Sequence, residues 1–417
     1  MRAGLWLLGA AALLFLGAAI WQKHTPPVKR LALEESRALR AMEETFTKES
    51  GHPILYGANS PFAPAPAEDG ADNAPDEQPE PPAEQKKEFI KWVEFNIPYS
   101  ALKKAMSLDV KYHGTNTPMP WIDMLSLLAC KYGGDFSRYR ETHLIDYAER
   151  VKQGESTDAM AEGLQYYSYY KEAYTAVLGG FVGEFTVEVP NEGDSSHTHW
   201  ETRYGLKAFS PIARGYDYGH YDDFGQRRSY GYARPHLGHD LLGAVGTPII
   251  AVESGVVEAV GWNQYGGWRI GIRSLDSKRY YYYAHLRKNH PYHSGLEVGQ
   301  VVTAGDVIGY LGMTGYSIKE NVNNIKTPHL HVGMQLIFDE SQKDSVNEIW
   351  VDLYDITRLL SLNTSAVYKN EAEKEYYRRY GFFEGLPEDQ VEAPSSLDHA
   401  FSGGDGAAQN AGEEAAG

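Results

Sequence analysis

Three short segments of this 417-residue chain carry side chains that bind metal or move protons. They are His236-Leu-Gly-His239-Asp240, Tyr283-Ala-His285 and Pro328-His329-Leu-His331. Side chains of a strand alternate with a period of two, so His329 and His331 point to one face and Leu330 to the other. Leu330 and Val332 can then enter a core while two imidazoles face a groove. His236 and Asp240, four residues apart, share a face in a strand or in a helix. His239 has the opposite parity in an extended segment and makes a poor third ligand. Two imidazoles and one carboxylate suit Zn²⁺, and a catalytic zinc keeps one coordination position for water beside its protein ligands. His236, Asp240 and one histidine of the 329/331 pair would form such a set. The other histidine would stand beside the metal to take the water's proton, and His285 would add a donor or acceptor for the developing oxyanion. Zn²⁺ would lower the pKa of that water to about 7 and polarise a carbonyl.

Other residues of these types read as structural. His197-Thr-His199 repeats the His-x-His spacing in a Ser- and Asp-bearing stretch without a strand signal. His220 with Asp222 and Asp223 reads as a solvated loop. The single cysteine, Cys130, excludes an intramolecular disulfide and lies in an apolar helical run, where it reads as a small buried hydrophobe. Tyr166, Tyr167, Tyr169 and Tyr170 read as core and rim packing.

The candidate groups need a scaffold, and from about Glu184 the chain reads as antiparallel all-β. Candidate strands are Pro248–Val252, Gly255–Val260, Trp268–Ile272, Arg279–His285, Asp306–Leu311 and His329–Ile337. Ahead of them, residues 89–183 read as all-α, with helices over Trp121–Lys131, His143–Gln153 and about Asp158–Leu178. Asn347–Leu362 and Glu371–Arg379 also read as helical. Ala3–Trp21 is an apolar run interrupted only by Gly4, Gly9 and Gly17. As a helix it spans about 28 Å, near the hydrocarbon thickness of a bilayer. It suits a membrane anchor or a cleaved signal peptide, and either implies export. The charge on its two flanks does not fix an orientation. The expected organisation is therefore multidomain. A membrane-spanning or signal helix (1–24) leads to a polar juxtamembrane segment (25–60) and a disordered Pro/acidic spacer (61–88). The helical region (89–183) and the β domain with an N-terminal extension and a groove (184–365) follow, then a terminal helix and acidic tail (366–417).

The formal net charge of −17 argues against nucleic acid as a partner. Its location matters more than its size, because residues 61–88 carry −6 and residues 381–417 carry −8. The folded remainder is nearly neutral, so the acidity describes a spacer and a tail.

From about Tyr232 to Ile337 the chain resembles the lysostaphin-type zinc metallopeptidases, which cut peptide cross-links in bacterial peptidoglycan. The resemblance rests on His236-Leu-Gly-His-Asp240, Gly246-Thr-Pro-Ile-Ile-Ala251, Ser254-Gly-Val-Val257 and Tyr265-Gly-Gly267. It continues through Tyr283-Ala-His-Leu286, Val298-Gly-Gln-Val301, Ala304-Gly-Asp-Val-Ile-Gly309 and Met313-Thr-Gly315 to Pro328-His-Leu-His-Val332. It implies zinc on His236, Asp240 and His331, with His285 and His329 as catalytic residues. It also implies a compact antiparallel β domain with the metal on the floor of a loop-walled groove. The implied function is that of an exported peptidoglycan hydrolase, a zinc endopeptidase cutting stem or cross-bridge peptides by attack of zinc-bound water. It would stand on the outer face of the cytoplasmic membrane, or in the cell wall if the N-terminal run is cleaved. The alternative is a catalytically silent scaffold of the same fold that binds the wall. Two stretches depart from the family pattern: a longer loop, Tyr316–Thr327, and the Tyr- and Gly-rich segment Tyr204–Tyr232, both expected to wall the groove. The helical region matches no wall-binding module.

Overall fold

The computed structural model describes residues 89–229, 233–343 and 348–384. The apolar run, the helix expected near 28–49, the 61–88 spacer and the tail beyond 384 lie outside them. Among the described residues no helix is long and apolar enough to cross a membrane.

Five helices come first: α1 (Tyr99–Tyr112), α2 (Trp121–Tyr132), α3 (Glu141–Lys152), α4 (Thr157–Ala161) and α5 (Tyr167–Leu178). Helix α2 is apolar around most of its circumference, with Met124, Leu125, Leu127 and Leu128 all buried, so it forms the centre of the helical layer. The carboxylate of Asp109 on α1 accepts the Trp121 backbone N–H at 3.1 Å and so holds the start of α2. The single helix expected over 158–178 is two helices. Ser156 caps α4, accepting from the Ala159 N–H, and Gly163 at φ +78° breaks the chain before α5. Cys130 is half-buried, and burial raises its thiol pKa.

A long hairpin follows, β1 (Val182–Asn191) with β2 (Asp194–Leu206), and β17 (Phe382–Phe383) pairs with the outer side of β1. His197 and His199 therefore lie on a strand, contrary to the sequence reading. Thr198, Trp200, Thr202 and Tyr204 carry the period-2 β-formers that the polar residues obscured.

The main sheet is antiparallel, in the order β11-β8-β9-β10-β13-β6-β3. Its strands are β3 (Gly219–Tyr221), β6 (His239–Leu242), β8 (Gly255–Asn263), β9 (Gly267–Ser274), β10 (Arg279–Ala284), β11 (Val301–Val302) and β13 (His329–Leu336). Strand β14 (Ile349–Trp350) joins the end of β13. Smaller pairs are β4 (Arg227–Ser229) with β5 (Ala233–Pro235), β7 (Pro248–Ile250) with β12 (Val307–Tyr310), and β15 (Val367–Asn370) with β16 (Glu375–Arg378). Among the described residues of the expected 347–362 helix, only Tyr354–Leu360 (α6) is helical. The helix expected over 371–379 is the turn and second strand of a hairpin. Asn370 accepts the Ala372 N–H at its side chain, and Lys374 turns the chain at φ +61°.

The helical and β layers share one continuous apolar core, in which Leu102, Leu128 and Val177 join Val257, Ile272, Leu330 and Met334. Arg279, 1% exposed, pins the two layers together. Its Nε donates to Glu253 at 2.7 Å and an Nη donates to the Ala176 carbonyl at the end of α5, also at 2.7 Å.

Candidate active site

Strand β13 builds the site because it lies between β6 and β10. His331 is directly opposite Asp240 of β6 on one side and Ala284 of β10 on the other. Leu330 and Val332 fill the core on the opposite face, as the alternation requires. The main chain runs from β10 into His285, which has φ +63°. Its N–H donates to the Gly266 carbonyl at 2.7 Å, which fixes this unusual backbone. Two of the sequence motifs interlock under His285. Gly267, at φ +67°, packs so closely on Thr314 that a Cβ there would lie 2.4 Å from a backbone carbon. The Thr314 hydroxyl donates to the Leu286 carbonyl and accepts the Trp268 N–H.

His236 Nε2, Asp240 Oδ1 and His331 Nδ1 converge, separated by 3.0 to 3.1 Å. Among the described residues these form the one group of His, Cys, Asp or Glu whose donor atoms meet in this way. The lone pairs are set by the opposite ring edges. His236 Nδ1 faces the carboxylate of Asp223 at 2.8 Å, and a carboxylate accepts only, so Nδ1 carries the proton and Nε2 carries the lone pair. Asp240 Oδ2 pairs with Arg228 at 2.8 Å, leaving Oδ1 toward the histidines. Burial alone would raise the Asp240 carboxyl. The close contacts with His236 and His331 outweigh this and hold it far below the usual carboxylate range. Burial is also the main cause that lowers the pKa of His331, against the pull of Asp240. Two imidazoles and a carboxylate meeting at one point therefore fit a zinc ion.

His285 and His329 stand beside this set, with ring centroids 4.8 Å apart. Each commits Nδ1 to a main-chain carbonyl, His285 to Thr314 at 2.9 Å and His329 to Thr327 at 2.8 Å. A carbonyl cannot donate, so each Nδ1 carries its proton and each Nε2 is left for chemistry. His329 Nε2 is buried with no hydrogen-bond partner, 3.5 Å from Asp240 Oδ2. An orphaned buried nitrogen is unfavourable unless a further group occupies the site. Burial, then the neighbouring charges of His329 and His331, push the His285 pKa well down. All five candidate residues thus meet in one cluster.

His239 turns the other way, its Nε2 3.0 Å from His220 Nδ1, as its parity predicts. His199 lies apart on β2, held by Asn191 and Glu201. The sequence reading of Asp223 as loop solvation is corrected, because its two oxygens hold His236 and Arg228. Arg228 and Arg234 also went unread, and Gly238 and Tyr316 were read only as parts of a motif and a loop. Gly238 lies under His331, where a Cβ would come within 2.4 Å of the imidazole. The only sequence trace of Arg228 and Arg234 was the Tyr- and Gly-rich texture ahead of His236. The 316–327 loop does reach the cluster, with the Tyr316 ring 5.7 Å from that of His285.

Residues 234–347 match the model of peptidase family M23, so this part of the chain is a lysostaphin-type M23 domain. The chain is 40% identical over 130 residues to the L-Ala–D-Glu endopeptidase of Bacillus subtilis, covering 31% of this chain and 38% of that protein. It is 38% identical over 97 residues to lysostaphin of Staphylococcus simulans, covering 23% of this chain and 17% of that protein. The crystallised catalytic domain of S. simulans lysostaphin is 30% identical, covers 34% of this chain and 92% of its own, and superposes with a TM-score of 0.26. The chain thus spans well under half of the length of these curated relatives. Asp223 and Arg228 lie ahead of the matched segment.

Proposed function

We propose that the protein is a zinc-dependent endopeptidase that hydrolyses peptide bonds in peptidoglycan stem or cross-bridge peptides. The observation that carries this reading is the meeting of three metal donors with two histidines whose Nδ1 atoms are already engaged. His236, Asp240 and His331 would hold Zn²⁺, consistent with the zinc dependence expected of an M23 domain. When bound, Zn²⁺ supplies a Lewis acid that polarises a carbonyl and lowers the pKa of water to about 7. The chain's own groups divide the proton work. His329 accepts the proton of the attacking water at Nε2, the nitrogen left available because Nδ1 is held by the Thr327 carbonyl. The same nitrogen then passes the proton to the departing amine. His285, enclosed by the other imidazoles, stays neutral and accepts a hydrogen bond at Nε2, orienting the water or the substrate. Peptidoglycan lies outside the cytoplasmic membrane, so on this reading the 3–21 run serves export, as an anchor or as a cleaved signal.

Digestion of peptidoglycans with several cross-link types, followed by mass analysis of the products, tests the proposal. Peptide-bond cleavage that a chelator abolishes and Zn²⁺ restores is the expected result. Zinc-loaded protein that binds these walls and leaves all of them uncut would instead establish a non-catalytic scaffold.

A further inference from the structure

We propose that Arg234 forms a carboxylate subsite beside His285, so that the preferred peptide carries a carboxylate next to the scissile amide. The inference rests on the peptidase reading above and narrows it from any stem or bridge peptide to an acidic one.

Arg234 on β5 is directly opposite Arg228 on β4. Like charges in register across an antiparallel pair repel. Arg228 is neutralised by Asp223 and Asp240. Arg234 is not: among the described residues its partners are two tyrosines and no carboxylate. It donates to the Tyr316 hydroxyl at 2.9 Å, and its guanidinium lies 5.1 Å from the Tyr265 ring and 5.4 Å from the Tyr316 ring. Aromatic faces hold a guanidinium in place without cancelling its charge.

The position is as informative as the missing anion. The Tyr316 ring that touches Arg234 also lies 5.7 Å from the His285 ring, so the cation is one side chain away from the proposed chemistry. Tyr316 is itself held. Its N–H donates to the Tyr265 carbonyl at 3.2 Å, and its own carbonyl accepts from Asn324 at 2.7 Å. The fork is thus half-buried and pre-organised, which favours paired hydrogen bonds to a planar carboxylate. A neutral glycine bridge would leave it unused.

The test uses the full-length zinc-loaded protein and three synthetic probes. These are an L-Ala–D-Glu stem peptide with its free α-carboxylate, the same peptide as the carboxamide, and pentaglycine. Cleavage gives kcat and KM. Equilibrium binding is read separately on the zinc-loaded His329→Ala form, with and without Arg234→Gln. The acid should be favoured over the carboxamide by about 10- to 100-fold, expressed in KM, as for a hydrogen-bonded charge pair. Arg234→Gln should erase this preference, and Arg234→Lys should restore part of it. Arg234→Gln should also leave thermal stability nearly unchanged, since it breaks no ion pair among the described residues. Equal handling of acid and carboxamide by the wild type overturns the proposal, as does an Arg234→Gln form that loses both alike. If no probe is cut yet the acid still binds in an Arg234-dependent way, the peptidase reading fails and the carboxylate subsite stands.

Discussion

Replacing Asp223 is the sharpest probe of how the metal site is held. One oxygen accepts from His236 Nδ1 at 2.8 Å and the other pairs with Arg228, which also holds Asp240. Asp223→Ala therefore frees the tautomer and rotation of one ligand and loosens the clamp on a second. Loss of a group that orients a metal ligand lowers affinity by about 10- to 100-fold. That corresponds to about 1.4 to 2.8 kcal/mol. Asp223→Ala should fall at the upper end, because His236 is buried and water cannot readily replace the lost acceptor. Asp223→Asn keeps an oxygen for His236 but loses the charge, and should fall near tenfold. Competition against a zinc-chelating dye at neutral pH reads the affinity without reference to turnover, and circular dichroism reports on folding. A folded Asp223→Ala protein within twofold of wild-type zinc affinity would refute the reasoning. His236 would then be held by the backbone alone.

The remaining expectations concern the ligands, the floor of the site and the scaffold. His331→Ala should lose zinc, whereas His329→Ala and His285→Ala should keep it and lose turnover; zinc loss in both of the latter would show the roles to be misassigned. Gly238→Ala should disrupt the site although it adds one methyl, because that methyl would come within 2.4 Å of the His331 ring; metal content measured on the purified variant decides it. Arg279→Ala leaves Glu253 buried without its cation and should destabilise the fold by about 3 to 5 kcal/mol, read by urea denaturation.

The strands that carry chemistry were the most legible part of the sequence, and for a physical reason. On β13 the order His-Leu-His-Val states which face is wet, and Leu330 and Val332 are buried as that order requires. The main sheet followed from β-branched runs cut by turns. Spacing alone left open which histidine of the 329/331 pair points to the metal. His331 was assigned by resemblance, and the structure places its Nδ1 against Asp240 Oδ1. Asp223 and Arg228 were illegible because they act across a hairpin whose register no local pattern announces. The 371–379 hairpin was misread because Glu, Lys and Arg carry helix propensity there, and tertiary packing overrode it: Glu375 is buried and accepts from Tyr310. The break in the 158–178 helix is the opposite case, since Gly163 was visible and a stop at that point was available.

The two halves of the site are steered by different kinds of partner, and this bears on how the protein can vary. His285 and His329 are oriented by main-chain carbonyls, which every residue type at positions 314 and 327 would supply. Thr327 is exposed, and no mutation of its side chain removes the carbonyl that aims His329. His236 depends instead on the side chain of Asp223, encoded ahead of the family segment. On the proposed reading, a single substitution at 223 would weaken metal retention while His285 and His329 keep their aim. Metal binding and proton handling could thus be lost separately.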